Sequence, residues 1–345
     1  MATLKDVAAI AEVSVSTASR ALSGKPGVSE RVRARVLAAS EQVGYCVQQV
    51  PLRRGSEHEG LLAITSDHLA NPFCNEVVRA IENYCLARGY NAVSWNMQGL
   101  WRDVHAFARA IQRHKISGLL CVSVNLPGPI EKFILDLGLP CVTVGRYVQS
   151  RRIDSVTADN FNGALDATKH LVSLGHQRIV LLTGPEDSSA TIDRTRGYRE
   201  VLASRGLLDE RLIRRGSLDY QSGHDLTLSL LQQGLDFTAI FAASDIMAVG
   251  VIEALAEKGL RVPEDVAVVG FDNIELAGYS RIQLTTVDHP KMELGEAAAE
   301  RIVKLIEGPS TPLQHVVLPV RLVVRRTCGA QLAHGEALGL PVGAA

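Results

Sequence analysis

From Leu61 onward the chain alternates short apolar runs with helical patterns, and it does so twice. Strand candidates are 61–66, 90–95, 117–124, 140–145, 178–183, 238–242 and 265–271. Helical spacing predicts helices near 73–88, 103–114, 128–137, 160–174, 190–206, 220–233, 245–258 and 291–307. The strand runs are nearly continuously apolar, the pattern of strands buried on both faces, so parallel sheets covered by helices are predicted. G-L-P at 138–140, G-H-Q-R at 175–178 and G-L-R-V-P at 259–263 each supply a glycine that ends a helix before the next strand. The two rounds, 61–157 and 158–287, are each about the size of one domain. Two such sheets leave a cleft at the C-terminal ends of their strands, where a small ligand fits.

The first 45 residues are of another kind. Thr3 to Leu22, T-L-K-D-V-A-A-I-A-E-V-S-V-S-T-A-S-R-A-L, holds two short helical patterns meeting at a tight corner. Thr3 is placed to cap the first, with Asp6 three residues on, and Ser14 to cap the second, with Thr17 at the same offset. Val7, Ala8, Ile10 and Ala11 supply an apolar stripe of mostly small residues, which lets two helices cross closely as a helix-turn-helix requires. Ala18, Ala21 and Leu22 face inward on the second helix, leaving Val15, Ser16, Thr17, Ser19 and Arg20 on or near its outer face. A third helix is predicted from Ser29, with Val32, Val36 and Leu37 inward and Arg31, Arg33 and Arg35 opposite. Three surface helices of an ordinary enzyme would share this periodicity, but charge argues otherwise. Up to Arg54 there are eight basic residues (Lys5, Arg20, Lys25, Arg31, Arg33, Arg35, Arg53, Arg54) and four acidic ones (Asp6, Glu12, Glu30, Glu41), a formal charge of +4. The whole chain carries −1, so the remainder carries −5. That asymmetry suits a head that sits on phosphates and a body that does not.

With 345 residues, 46% hydrophobic and 21% charged, the chain has material for two or three domains with large cores. It has no apolar run long enough for a membrane span and no secretory leader pattern, so a cytoplasmic, nucleoid-associated protein is expected. Six cysteines (Cys46, Cys74, Cys85, Cys121, Cys141, Cys328) are scattered without a C-x-x-C pair, which predicts neither a metal site nor a disulfide framework. No G-x-G-x-x-G follows the first strand, and no phosphate-binding loop, G-x-S-x-G elbow or H-E-x-x-H is present. No catalytic residue and no cofactor is therefore assigned.

The segments after the strands carry polar chemistry. They are T-S-D-H-L-A-N-P-F at 65–73, Gly145-Arg146, T-A-D-N at 157–160, G-P-E-D-S-S-A-T-I-D-R-T-R-G from 184, A-S-D-I-M-A from 243, and Asp272-Asn273. Carboxylates, amides and guanidiniums that pair in bidentate fashion, beside a few aromatics, suit polyol recognition. Each has a plainer role open to it. Asp159 and Asp245 stand near helix starts and can cap them, Asp272 can serve a turn, Phe73 can be core, and Arg194 and Arg196 can be solvated. Their joint occurrence at strand ends carries the argument.

From Thr3 to about Thr327 the chain resembles the LacI/GalR family of bacterial transcription regulators. The resemblance rests on the head motif and on H-L-x-x-L-G-H (170–176), R-x-x-G-Y (194–198), S-D-x-M-A-x-G (244–250), P-E-D-V-A-V-V-G-F-D (263–272) and L-T-T-V (284–287). It implies an α/β protein with an all-α helix-turn-helix head at 1–45 and a hinge at 46–59. The core would be periplasmic-binding-protein-like, with two doubly wound parallel-sheet subdomains at 60–157 plus 288–318 and 158–287 plus 319–328. Chain crossovers would fall near 158, 288 and 318. The resemblance implies that Val15, Ser16 and Arg20 face base edges, and that Phe73, Asp159, Arg194, Asp245 and Asp272 touch a ligand. Asn71, Arg146, Ser244 and Tyr220 are further candidates, with Ser244 standing where many relatives have Asn. It also implies a homodimeric repressor on a pseudo-palindromic double-stranded DNA operator, controlled by a small effector such as a sugar or sugar acid.

The hinge departs from the family pattern. Tyr45 is followed by C-V-Q-Q-V-P-L-R-R-G, with Pro51 at an alanine position and Arg54 where a leucine wedges into the minor groove. Proline inside a short helix costs about 3 kcal/mol beyond the first turn. Leu52 in a shifted register, or Arg53 or Arg54 in a narrowed groove, are the alternatives. The tail at 329–345, rich in Gly, Pro and Ala without heptads, is expected to be disordered, which favours a dimer over a tail-linked tetramer. A transport-type binding protein and a sugar-modifying enzyme are the rival readings.

Overall fold

The computed structural model describes residues 3–22, 27–43, 60–66, 70–96, 103–126, 128–308 and 311–330. Expectations for Cys46, for Pro51, Leu52, Arg53 and Arg54 in the hinge, and for 331–345 in the tail lie outside these residues, whereas Gly329 and Ala330, expected to begin the disordered tail, are ordered because Ala330 is buried in a hydrophobic cluster with Cys328. The chain divides into two compact units, Met1–Glu59 and Gly60–Ala345.

The first unit packs α1 (Leu4–Ile10), α2 (Val15–Leu22) and α3 (Glu30–Gln42). The Asp6 carboxylate accepts from the Thr3 backbone N–H at 2.7 Å and from its hydroxyl at 2.8 Å, which starts α1. The Ser14 hydroxyl accepts from the Thr17 N–H at 3.1 Å and starts α2. Val7, Ala8, Ala11, Ala18, Ala21, Val36 and Ala39 are buried together, so alanines make the close α1–α2 crossing. Two expected core residues are corrected, since Ile10 is 44% and Leu37 47% exposed. Each helical residue turns about 100° from the last. The inward face of α3 takes Val32, Val36, Ala39 and Val43, so Leu37, one step past Val36, points away. Ile10 lies off the face made by Val7, Ala8 and Ala11 for the same reason.

The second unit holds two six-stranded sheets. One contains β1 (Leu61–Ser66), β2 (Asn91–Asn96), β3 (Ile116–Val122), β4 (Cys141–Val144), β5 (Asp154–Ala158) and β11 (His315–Leu318), in the order β11-β5-β4-β3-β1-β2 and all parallel. The other contains β6 (Ile179–Thr183), β7 (Ile213–Arg215), β8 (Ala239–Ala242), β9 (Ala267–Asp272), β10 (Thr285–Asp288) and β12 (Arg321–Val323), in the order β12-β10-β9-β8-β6-β7. In this sheet β12 runs antiparallel to β10, an exception to the expected all-parallel arrangement. The chain passes between the halves after β5, after β10 and after β11. The helices are α4 (Pro72–Ala87), α5 (Val104–His114), α6 (Gly128–Leu137), α7 (Asn160–Ser173), α8 (Ser189–Ser204), α9 (Tyr220–Gln232), α10 (Asp245–Glu257) and α11 (Lys291–Glu307). Among the described residues no helix is long and apolar enough to cross a membrane.

Five strands escape the apolar-run criterion: β5, β7, β10, β11 and β12. Strands β7, β11 and β12 end their sheets and are half exposed, so they carry no apolar run. Strands β5 and β10 are buried yet polar, D-S-V-T-A and T-T-V-D, because distant partners satisfy their hydroxyls. Thr286 donates to Asp245 at 2.5 Å, and Thr157 donates to the Val316 carbonyl at 3.4 Å. Close helix approach needs glycine at the α9–α10 crossing. A Cβ on Gly250 would sit 2.1 Å from the Tyr220 carbonyl oxygen, and one on Gly223 would sit 2.1 Å from that of Met247. A buried ion pair joins α11 to β5: Arg301 Nε donates to Asp154 Oδ1 at 2.5 Å, and the same oxygen accepts from the Gln314 N–H at 2.9 Å.

Candidate ligand site and nucleic-acid interface

The parallel strands of both sheets end toward a cleft between the halves, and α4, α8 and α10 begin there. Asn71, Phe73, Cys74, Ser123, Gly145 and Arg146 line its cavity from one half. Ala190, Arg194, Leu218, Ser244 and Asp272 line it from the other, and His289 comes from the crossover after β10. Two of these are helix caps: Asn71 Oδ1 accepts from the Phe73 N–H at 3.0 Å, and Ser244 Oγ accepts from the Met247 N–H at 3.3 Å.

Arg194 is the centre of the polar network. Its Nε donates to Asn160 Oδ1 at 2.8 Å, its Nη1 donates to the Ala243 carbonyl, and its Nη2 lies 3.6 Å from Asp272 Oδ1. The guanidinium also lies 3.7 Å from the centre of the Phe271 ring. Burial lowers its pKa to about 10, against the opposing pull of Asp272. Asp272 closes β9 with φ +119, a conformation that costs an L-residue strain energy, and burial lifts its carboxyl to about 6. Lys291 Nζ donates to the carbonyls of Asp272 at 2.9 Å and Asn273 at 2.8 Å, holding this turn against the crossover.

Hydrogen bonds also cross between the halves. Asn125 Nδ2 donates to Asp187 Oδ1 at 2.8 Å while Asn125 Oδ1 accepts from Arg146 Nη1 at 2.7 Å. The Tyr147 N–H donates to Ser189 Oγ at 2.9 Å, and its hydroxyl donates to the Asp193 carboxylate at 3.1 Å. These bonds hold the halves together over the cavity.

Three expected ligand residues do not line the cavity. Asp159 caps α7, its oxygens accepting from the Asn162 N–H at 3.0 Å and the Asn162 amide at 2.6 Å. Tyr220 opens α9 on the surface and stacks on His224 with ring centres 6.2 Å apart. Asp245 is fully buried, accepting from Thr286 at 2.5 Å and from the Ile274 N–H at 2.9 Å. Its short side chain at the start of α10 reaches down to β9 and β10, where Gly270 leaves room for it. For the two aspartates a local backbone or neighbouring-strand partner captures the polar group. Conversely, spacing gave no reason to single out Ser123 and Leu218, which line the cavity, Asn125, which bonds across the halves, or His289 on the crossover after β10.

Asp245 gives a titration test. Burial and the nearby Asp272 raise its carboxyl from 3.8 to about 7. The folded state therefore binds more protons than the unfolded chain between these values. The group's stabilising contribution is complete below about pH 4 and is lost as pH rises through 7. Asp245→Asn keeps partners for Thr286 and Ile274 while removing the charge. We expect it to flatten this slope and raise stability at about pH 8 by about 2 kcal/mol, read as urea midpoints across pH. An unchanged slope would remove Asp245 from this role.

On the first unit, Val15, Ser16, Ser19 and Arg20 of α2 are exposed and Thr17 is half-buried. Thr3 and Ser14 are occupied in the caps described above, and Ser14 also shares a 2.8 Å hydroxyl contact with Ser16.

A helix-turn-helix with an outward-facing second helix, followed by paired sheets enclosing a polar cavity, defines a DNA-binding regulator with a ligand-binding core. Residues 3–48 match the model of bacterial regulatory proteins of the lacI family, and residues 168–328 match that of a periplasmic binding protein-like domain. The ribose operon repressor of Escherichia coli (strain K12) is 33% identical over 94% of this chain and 99% of its own length. The solved complex of the transcriptional regulator CelR with cellobiose has a TM-score of 0.72 at 30% identity, covering 95% of this chain and 100% of that one. The lac repressor dimer bound to operator and the anti-inducer ONPF also gives 0.72, at 29% identity over 95% and 99%. The chain belongs to the lacI family of bacterial regulatory proteins.

Proposed function

We propose that the protein is a cytoplasmic, homodimeric transcriptional repressor whose operator affinity is set by a sugar or sugar derivative held in the core cleft. The carrying observation is one cavity whose walls come from both halves, with Phe73 and Arg146 on one side and Arg194 and Asp272 on the other. A ligand touching both walls binds the closed arrangement better than an open one, and that difference in affinity is what shifts a conformational equilibrium. Coupling of this kind is typically about 1–3 kcal/mol and acts equally from effector to DNA and from DNA to effector. The divisions at 1–45, 46–59, 60–157 with 288–318, and 158–287 with 319–328 serve as head, hinge and two core subdomains.

The head is tested with Arg20→Ala in the full chain. Loss of a bidentate arginine–guanine contact, worth about 1–3 kcal/mol, should weaken operator binding about 10- to 100-fold and leave sugar binding unchanged. Fluorescence anisotropy on duplexes from the DNA around its own gene, at low salt, provides the readout. If the wild-type protein shows no preference among duplexes, with or without sugars, the regulator reading falls.

A further inference from the structure

We infer that His289 supplies a bare hydrogen-bond acceptor to the cavity from within the crossover itself, and so selects a ligand that presents a hydroxyl donor there. The inference rests on the reading of the cleft as the effector site and narrows the chemistry of that effector.

His289 lies between the end of β10 and the start of α11, in the strand that joins the two halves, and is 2% exposed. Its ring stacks on Phe73 with centres 4.6 Å apart and meets Phe271 edge-on at 5.5 Å. One aromatic comes from each half, so the imidazole is clamped between them. Nδ1 lies 3.2 Å from Asp272 Oδ1. An ionised carboxylate accepts only, so Nδ1 carries the hydrogen and Nε2 carries the lone pair. Burial, with Arg194 and Lys291 nearby, keeps the ring neutral by pushing its pKa well below the usual value. Nε2 is buried in the cavity lining and has no hydrogen-bond partner among the described residues. A buried polar atom of this kind costs free energy until a donor reaches it.

The cavity thus combines guanidinium donors on both walls with a lone pair at the pivot. A polyol satisfies both, since each hydroxyl donates and accepts. A ligand placing a carboxylate or an ether oxygen against Nε2 would oppose lone pair to lone pair and be rejected. If the ligand is a sugar acid, its carboxylate belongs at the arginines and a hydroxyl at His289. Because the backbone carbonyl of His289 is itself held by Lys291 Nζ at 3.4 Å, engagement of the ring acts on the same segment the halves pivot about.

Two measurements on the full chain decide this. Nitrogen-15 NMR of histidine-labelled protein at neutral pH, with His289 assigned by His289→Phe, should show Nδ1 protonated and Nε2 unprotonated. A protonated Nε2 overturns the inference whether or not any sugar binds. D-ribose and cellobiose are then titrated by calorimetry. For a sugar that binds, the Nε2 resonance should move as it accepts a hydrogen bond. His289→Phe, which keeps both ring contacts, should weaken binding about 10- to 100-fold, and His289→Gln should recover part of that loss. An unmoved resonance, or wild-type affinity in His289→Phe, overturns it. If neither sugar binds while Nε2 is unprotonated, the effector reading fails for these sugars and the acceptor assignment survives.

Discussion

Arg194→Met is expected to abolish the response to ligand and to destabilise the core by about 3–5 kcal/mol, the cost of removing one partner from a buried charged network. Methionine matches the aliphatic stem and keeps contact with Phe271, so packing is largely retained. What is lost is polar: Asn160 Oδ1 and the Ala243 carbonyl lose their donor, and Asp272, still bonded to His289 Nδ1, loses its neighbouring positive charge. Asp272, already raised to about 6, would then take up a proton more readily, which limits the damage at lower pH. Operator affinity without ligand should remain, because Arg194 belongs to the second unit and the exposed face of α2 to the first. Calorimetry should read no binding, and anisotropy should read a flat ligand titration. A variant that responds to the same sugar at the same midpoint would remove Arg194 from the site. Asp272→Asn added to Arg194→Met should recover part of the stability and none of the binding, since it neutralises the stranded charge without restoring a donor.

Arg301→Met is the second large effect, and it concerns stability alone. The pair with Asp154 is buried on both sides, and Arg301 Nη2 also donates to the Pro312 carbonyl at 2.5 Å. Removing the arginine leaves Asp154 charged in the interior, at a cost of about 3–5 kcal/mol and a fall in melting temperature of roughly 10 °C. Arg301→Met with Asp154→Val should recover only part of this. The charge problem disappears, but the Gln314 N–H loses its acceptor. A single variant that melts with the wild type would show that the pair contributes nothing beyond a packed apolar contact.

The readability of this chain followed the range of the interactions involved. All eight core helices lie within two residues of the ranges read from spacing, because helical periodicity and capping are properties of neighbouring residues. Strands with an apolar run were equally legible. The buried strand T-T-V-D at 285–288 was not, because its hydroxyls are paired with Asp245 and Arg325 some 40 residues away. The candidate site divides in the same way. Asn71, Phe73, Arg146, Arg194, Ser244 and Asp272 come together at the cavity. Asp159, Asp245 and Tyr220 also sit at element ends, but Asp159 and Asp245 are captured by partners of their own and Tyr220 opens α9 on the surface.

By itself the sequence determined the three-helix head, the twofold alternation of strand and helix, the charge contrast between head and body, and the family. All of these are encoded in runs of at most a few dozen residues. Tertiary structure alone decided which polar groups at the strand ends face the cleft. It also decided that His289, on a crossover, lies between Phe73 of one half and Phe271 of the other. A side chain's direction at a strand end depends on the register of strands far apart in sequence and on which neighbouring donors or acceptors reach it first, and no local pattern records either.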